Sequence, residues 1–173
     1  MKKNLVLAGM MGVGKSTTGK MLAKKLSFNF VDIDKLIEKK ENCSINAIFK
    51  SKGEPFFRKL ENQITLEELE KQESVISLGG GAYLNRSIRQ SVKRSSISFW
   101  IDVSSAILVK RLKKTKKRPL LANKDLNETV SKIYLERKKT YNEADFKVKC
   151  DFLEQKEIVN KILKLYENSR NQV

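Results

Sequence analysis

Leu5, Val6, Leu7 and Ala8 follow Asn4 as an unbroken apolar run, the pattern of a short strand buried on both faces. At Lys15 the period changes. Met21, Leu22 and Leu26 share one helical face, so residues 15–26 are predicted as an amphipathic helix. A second short strand is predicted over 30–32, ending in Asp32, with Asp34 at the start of a helix over 35–41. Ser44 is placed to cap a short helix through Phe49, and Gly53 breaks it before a longer helix from Pro55 to about Lys71. The next strand, 74–78, runs directly into Gly79, Gly80 and Gly81. A helix over 85–92, a strand over 96–102 carrying Trp100, and a helix capped by Ser104 and reaching Leu112 come next. Asp125 and Glu128 have the spacing of a capping box that opens a helix to about Tyr141; a strand over 146–150 and a helix over 154–166 complete the pattern. Strands and helices thus alternate five times, with no internal repeat and no linker. The expectation is one α/β domain over 1–173, a three-layer, doubly wound, parallel five-stranded sheet.

Between 113 and 123 the periodicity stops. Lys113, Lys114, Lys116, Lys117 and Arg118 put five cations into six residues ahead of Pro119, which predicts a basic lid whose charges repel one another until an anion arrives.

Length and composition narrow the function. A chain of 173 residues can bury one real core, and no uncharged stretch reaches the length of a membrane span. Lys2 and Lys3 lead at once into the first strand rather than into a leader, so a cytoplasmic protein is expected. The chain has no histidine, which removes histidine acid/base chemistry and histidine-held zinc, and any metal is expected to be hard and oxygen-liganded. Two cysteines, Cys43 and Cys150, make no disulfide framework and no metal-ligand spacing. The net charge of +16 calls for an anionic partner. Between Arg86 and Arg118 eleven Lys or Arg stand against one acid, Asp102, so that segment holds +10 of it. Such a stripe is either a nucleic-acid face or lysine-rich solvated helices, and the absence of any nucleic-acid motif favours the helices.

Chemistry enters with Gly9-Met10-Met11-Gly12-Val13-Gly14-Lys15-Ser16, which fits the phosphate-binding loop between a strand and a helix. Glycines let the backbone curl and turn its N–H groups inward, toward the positive end of the helix that follows. Lys15 can reach the β- and γ-phosphates, and the Ser16 hydroxyl is placed to ligate Mg²⁺. Gly12, Val13, Gly14, Lys15, Ser16 and Thr17 are therefore the expected nucleotide contacts. The strand over 74–78 ends in glycine, without the carboxylate that usually holds the metal in such proteins. Asp32 is expected to fill that role beside Ser16, or else to cap the next helix.

Taken together, the loop 9–16, the Asp32 and Asp34 pair, Gly53-Glu54 with Phe56-Phe57-Arg58 and Glu61, Gly79-Gly80-Gly81, Arg118-Pro119-Leu120, and Glu136-Arg137 with Tyr141 resemble the shikimate kinase family. The resemblance runs through nearly the whole chain, in order and with matching spacing. It implies a nucleoside-monophosphate-kinase-like fold of the P-loop NTPase class. It also implies MgATP as donor and transfer of the γ-phosphoryl to the 3-hydroxyl of shikimate, on the way to aromatic amino acids. Carried over by position, it gives Asp34 the substrate hydroxyls and the attacking proton. Arg58 and Arg137 take the ring carboxylate, and Gly79, Gly80 and Gly81 a hydroxyl. Phe49 and Phe57 take the ring pocket, Arg111 the adenine, and Arg118 the phosphates and the closed lid. Lys15, Asp34 and Arg118 are the implied catalytic set. The family's adenine loop usually contains proline, and Cys150 to Glu154 does not.

Only eight of the 36 basic residues are Arg, yet 58, 118 and 137 all are, as flat bidentate recognition of carboxylate and phosphate requires. Arg58 also stands three residues before Glu61, a helical pairing compatible with that role. The partners implied are shikimate and MgATP, with no specific nucleic acid and no membrane, for a monomeric enzyme. The alternatives are another kinase of the same fold, acting on gluconate or a nucleotide, and a nucleotide-switched nucleic-acid-binding protein.

Overall fold

The computed structural model describes residues 3–113 and 125–170. The predicted lid, with Arg118, Lys116 and Lys117, lies outside the described residues apart from Lys113. Five strands, β1 (Asn4–Ala8), β2 (Asn29–Asp32), β3 (Ser74–Ser77), β4 (Ser96–Asp102) and β5 (Phe146–Lys149), form one sheet in the order β2-β3-β1-β4-β5. Every neighbouring pair is parallel, with Leu5 opposite both Val75 and Ile97. β1, β3 and β4 are buried along their whole length, because helices cover both faces of a parallel sheet. The outer strands β2 and β5 are partly exposed.

The helices are α1 (Lys15–Leu26), α2 (Ile33–Glu41), α3 (Ile45–Glu70), α4 (Arg86–Ser95), α5 (Ser105–Leu112), α6 (Leu126–Tyr141) and α7 (Gln155–Arg170). α1 reaches the sheet so closely that a Cβ on Gly19 would lie 2.5 Å from the Phe30 ring of β2, which explains a glycine inside a helix despite its cost of about 1 kcal/mol. Below the helices a single apolar cluster runs from Leu5 through Phe99 and Trp100 to Tyr166. The doubly wound α/β architecture predicted from the alternating pattern is the one observed.

Some predicted boundaries shift for local reasons. α2 begins at Ile33 because Asp32 is its N-cap, accepting from the Lys35 N–H at 3.3 Å, and this puts Asp34 inside the first turn. Gly53 does break the helix, at φ 79° and ψ 169°, but the segments on either side run on as one kinked element, α3. The Ser104 hydroxyl does not cap α5. Instead the Ser104 N–H donates to Asp151 Oδ1 at 2.7 Å, tying this corner to the loop after β5.

The chain starts in the middle of the sheet, crosses to the β2 edge, returns through β3 and continues past β1 to β4 and β5. All five strands deliver their C-terminal ends to one side, so the segments after β1, β2 and β3 meet there. In open α/β sheets that side is where ligands bind.

Candidate active site

Gly9, Gly12 and Gly14 have φ of 139°, 80° and 97°, backbone states that a side chain disfavours, and the loop they form wraps into the N-terminus of α1. Lys15 Nζ lies inside this loop, donating to the carbonyls of Gly9 and Met10, both at 2.9 Å. Val13 is buried, whereas Ser16 and Thr17 face solvent. Thr18, one turn into the helix, bonds the Gly14 carbonyl and receives Gln155 Nε2 at 2.6 Å, so α7 braces the loop from behind. Arg111, from α5, donates to the Val13 carbonyl at 3.4 Å.

Ser16 Oγ donates to Asp32 Oδ2 at 2.5 Å, so the two predicted metal-binding oxygens are adjacent although they come from different elements. The other oxygen of Asp32 caps α2, the second of the roles predicted for it. A hydroxyl and a carboxylate at the mouth of a phosphate loop suit a hard divalent cation that takes most of its remaining ligands from water and phosphate. Among the described residues no group of three or more His, Cys, Asp or Glu gathers to hold a metal on its own.

The second half of the site forms around Gly79, Gly80 and Gly81. A Cβ on Gly79 would meet Glu61 Oε1 at 2.5 Å and Asp34 Oδ1 at 2.6 Å; one on Gly81 would meet the Arg58 guanidinium, Nη1 at 2.6 Å. The Gly80 carbonyl receives Arg137 Nη1 at 2.8 Å and the Tyr141 hydroxyl. Asp34 from α2, Arg58 and Glu61 from α3, and Arg137 and Tyr141 from α6 thus converge on three residues without side chains. The same glycines touch the phosphate loop: a Gly80 Cβ would lie 3.3 Å from the Met11 amide nitrogen. The phosphate loop and the cluster around Gly79 to Gly81 therefore share a wall.

Arg58 is held on two sides. Its Nε and Nη2 donate to Glu54 Oε1 at 3.1 and 3.0 Å, and its Nη1 to Glu61 Oε2 at 2.7 Å. Burial by itself would lower the Arg58 pKa, but Glu61 and then Glu54 outweigh it, and the guanidinium sits above its ordinary value. Glu61 is only 2% exposed; burial pushes its carboxyl up from the usual range, and Arg58 opposes that only in part. Phe49 and Phe57 pack with their rings tilted at 44° and their centroids 4.8 Å apart, and the Arg58 guanidinium lies 5.2 Å from the Phe57 ring. Phe57 is buried, so this pair forms the apolar floor behind Arg58.

Sequence reasoning singled out Asp34, Arg58 and Arg137, and they come together. It did not single out Gln155, whose role is visible only in space, or Glu61 as more than a helical partner of Arg58. Among the described residues of the basic stripe, Arg89 is engaged with the carbonyls of Tyr83 and Leu84 and with Glu143, and Arg111 lies against the phosphate loop.

A phosphate loop beside an arginine- and carboxylate-lined acceptor pocket, on this sheet order, defines a P-loop phosphotransferase of the nucleoside-monophosphate-kinase type. The deoxyadenosine kinase from M. mycoides shares that fold at a TM-score of 0.59 and 17% identity, covering 95% of this chain and 98% of its own. Sequence and structure then narrow the class. A family model described as shikimate kinase matches residues 11–167. The shikimate kinase of Sulfurihydrogenibium sp. (strain YO3AOP1) is 43% identical over 162 residues, 93% of this chain and 96% of its own length. The structure of shikimate kinase from Acinetobacter baumannii in complex with shikimate superposes with a TM-score of 0.92 at 28% identity, over 96% of this chain and 94% of that one. The chain belongs to the shikimate kinase family, whose reaction is the ATP-dependent phosphorylation of shikimate.

Proposed function

We propose that this chain, as one domain over 1–173, transfers the γ-phosphoryl of MgATP to the 3-hydroxyl of shikimate through the residues gathered around Gly79 to Gly81. The observation that supports the assignment of roles is the closeness of those glycines to both Asp34 and the phosphate loop, as a site that brings an acceptor hydroxyl up to a terminal phosphate requires. Arg58 and Arg137 are the planar groups that suit a ring carboxylate, and Asp34 is the carboxylate that suits the vicinal hydroxyls. With the carboxylate held at one end, Asp34 orients the 3-hydroxyl and accepts its proton as the new bond forms. The loop N–H groups and Lys15 hold the β- and γ-phosphates, while Gly12, Val13, Gly14, Ser16 and Thr17 line the nucleotide side. Ser16 and Asp32 would hold Mg²⁺, which when bound neutralises charge on the phosphates. Arg111, which donates to the Val13 carbonyl, is the residue proposed to meet the adenine. Arg118, outside the described residues, keeps its proposed role of reaching the transferring group from the lid.

The enzyme is proposed to act as a cytoplasmic monomer on small molecules, without a nucleic-acid or membrane partner. Among the described residues no helix is long and apolar enough to cross a membrane. The deciding experiment measures ADP release in a coupled assay with shikimate, gluconate or AMP as acceptor. Release that depends on shikimate is expected; preference for either other acceptor overturns the assignment.

A further inference from the structure

Glu61 presents a problem that phosphoryl transfer alone does not explain. Its side chain is buried, one oxygen is bound to Arg58, and the other, Oε1, has no hydrogen-bond partner. A buried carboxylate oxygen without a partner is destabilising, so its retention beside Gly79 asks for a purpose. Oε1 and Asp34 Oδ1 lie 2.5 and 2.6 Å from the same point, the position a Cβ on Gly79 would take.

The charges around it are uneven. From α3 come Arg58 and Glu54, from α2 Asp34, and from α6 Arg137 and the neutral Tyr141 hydroxyl; the glycine loop carries none. Lys15, on the phosphate loop, is turned toward the Gly9 and Met10 carbonyls. Arg58 therefore already serves two carboxylates before a substrate arrives. If Arg58 and Arg137 also receive the carboxylate of the acceptor, two cations face four anions, among which Glu61 is buried and Glu54 exposed. Like charges at this range raise the proton affinity of the least solvated member, and that member is Glu61.

We infer that Glu61 takes up a proton when the acceptor's carboxylate docks on Arg58, so that shikimate binding is linked to proton uptake. The proton goes to Oε1, where the new O–H donates toward Asp34 and gives the orphaned oxygen a partner. Protonation also loosens the claim of Glu61 on Arg58 Nη1, freeing that donor for the ligand. Glu61 is thus a positioning residue that trades its charge for that of the substrate. The sign follows from linkage. The bound state holds more protons than the free state, so affinity for shikimate rises as pH falls across the interval between the free and bound pKa values of Glu61. The limit is tenfold per pH unit.

This inference rests on the carboxylate-binding role proposed for Arg58, and the test separates the two. Calorimetric titration of the full chain with shikimate, at several pH values between about 5.5 and 8.5 and in buffers of different ionisation enthalpy, counts the protons exchanged. Uptake of a substantial fraction of one proton is expected somewhere in that range, with a protonated-carboxyl band appearing in infrared difference spectra on binding. Glu61→Gln, which keeps the shape and cannot titrate, should still bind shikimate with the uptake gone and the affinity flat in pH. If Glu61→Gln fails to fold, Glu61→Asp, which draws the carboxyl away from Arg58, should shift the pH at which uptake peaks. Binding without proton exchange at every pH, or undiminished uptake in Glu61→Gln, overturns the inference and leaves the role of Arg58 standing. No binding of shikimate at all by the wild-type protein overturns both.

Discussion

Replacing Gly79 by alanine is the sharpest test of how the acceptor site is built, because the fault it introduces is steric and local. Gly79 is not among the glycines in the left-handed region, so the main chain itself accepts an alanine there. The added methyl would sit 2.5 Å from Glu61 Oε1 and 2.6 Å from Asp34 Oδ1, where an ordinary contact begins at 3.4 Å. Relief requires shifts of about 0.9 Å in the Glu61 carboxylate and about 0.8 Å in that of Asp34; Glu61 is anchored by Arg58 in a buried position, so its displacement costs stability, while that of Asp34 costs rate. Misplacing a reacting group by about 1 Å costs about a hundredfold in rate, which sets the expected loss of kcat. Overpacking of this kind costs about 1–3 kcal/mol of stability, enough to lower Tm by several degrees without unfolding the protein. The KM for ATP should stay within about threefold, since the phosphate loop is not touched. Gly81→Ala is the matched control: its methyl meets the Arg58 guanidinium, the flexible end of a long side chain, so it should raise the KM for shikimate and spare kcat. Steady-state kinetics of the coupled ADP-release assay, alongside thermal melts, decide the matter. A folded Gly79→Ala enzyme with kcat within threefold of wild type, or a Gly81→Ala enzyme with the larger loss of kcat, would refute the reasoning.

Lys15→Ala removes the cation at the γ-phosphate and should leave less than about a tenth of wild-type kcat in a protein that melts normally. Arg58→Lys and Arg137→Lys keep the charge and lose the flat fork, so each should raise the KM for shikimate far more than that for ATP; equal effects in the same kinetic series would remove both from carboxylate binding. Arg118→Ala should lower kcat by a few orders of magnitude with little change in ATP affinity. Exchanging Lys116 and Lys117 together for alanine should alter only the salt dependence, and equal losses in the two variants would count against a special role for Arg118. Burial pushes the Cys150 thiol up from 9.0 to about 11, so the unfolded chain ionises first and stability should fall as pH rises between those values. Denaturant melts of the wild type and Cys150→Ala from pH 8 upward should show the steeper decline in the wild type.

Much of this protein is legible in one dimension because the signals are local. The apolar run of β1, the change of period at Lys15 and the glycines between them lie within a few residues of one another, and a phosphate loop is made by consecutive backbone groups. Asp32 also announces itself, as a carboxylate at the end of a strand. Arg58 and Arg137 could be paired from sequence only through the family resemblance, since nothing in their own neighbourhoods says that α3 and α6 meet at Gly80 and Gly81.

What the tertiary structure alone decided are the relations set by strand order. Gln155 reaches Thr18 across 137 positions because β5 lies on the far side of β4 and returns α7 to α1. Ser104 loses its expected capping role because the same return brings Asp151 to its amide. Within the basic stripe, Arg89 and Arg111 take separate partners, the Tyr83 and Leu84 carbonyls with Glu143 for the one and the Val13 carbonyl for the other. The orphaned oxygen of Glu61 is the clearest case. On the helix it is an ordinary partner three residues from Arg58, and only the crossing of α3 over the end of β3 presses it against Gly79 and Asp34. Periodicity determines which face a side chain occupies, but desolvation and charge crowding depend on what arrives at that face from elsewhere in the chain.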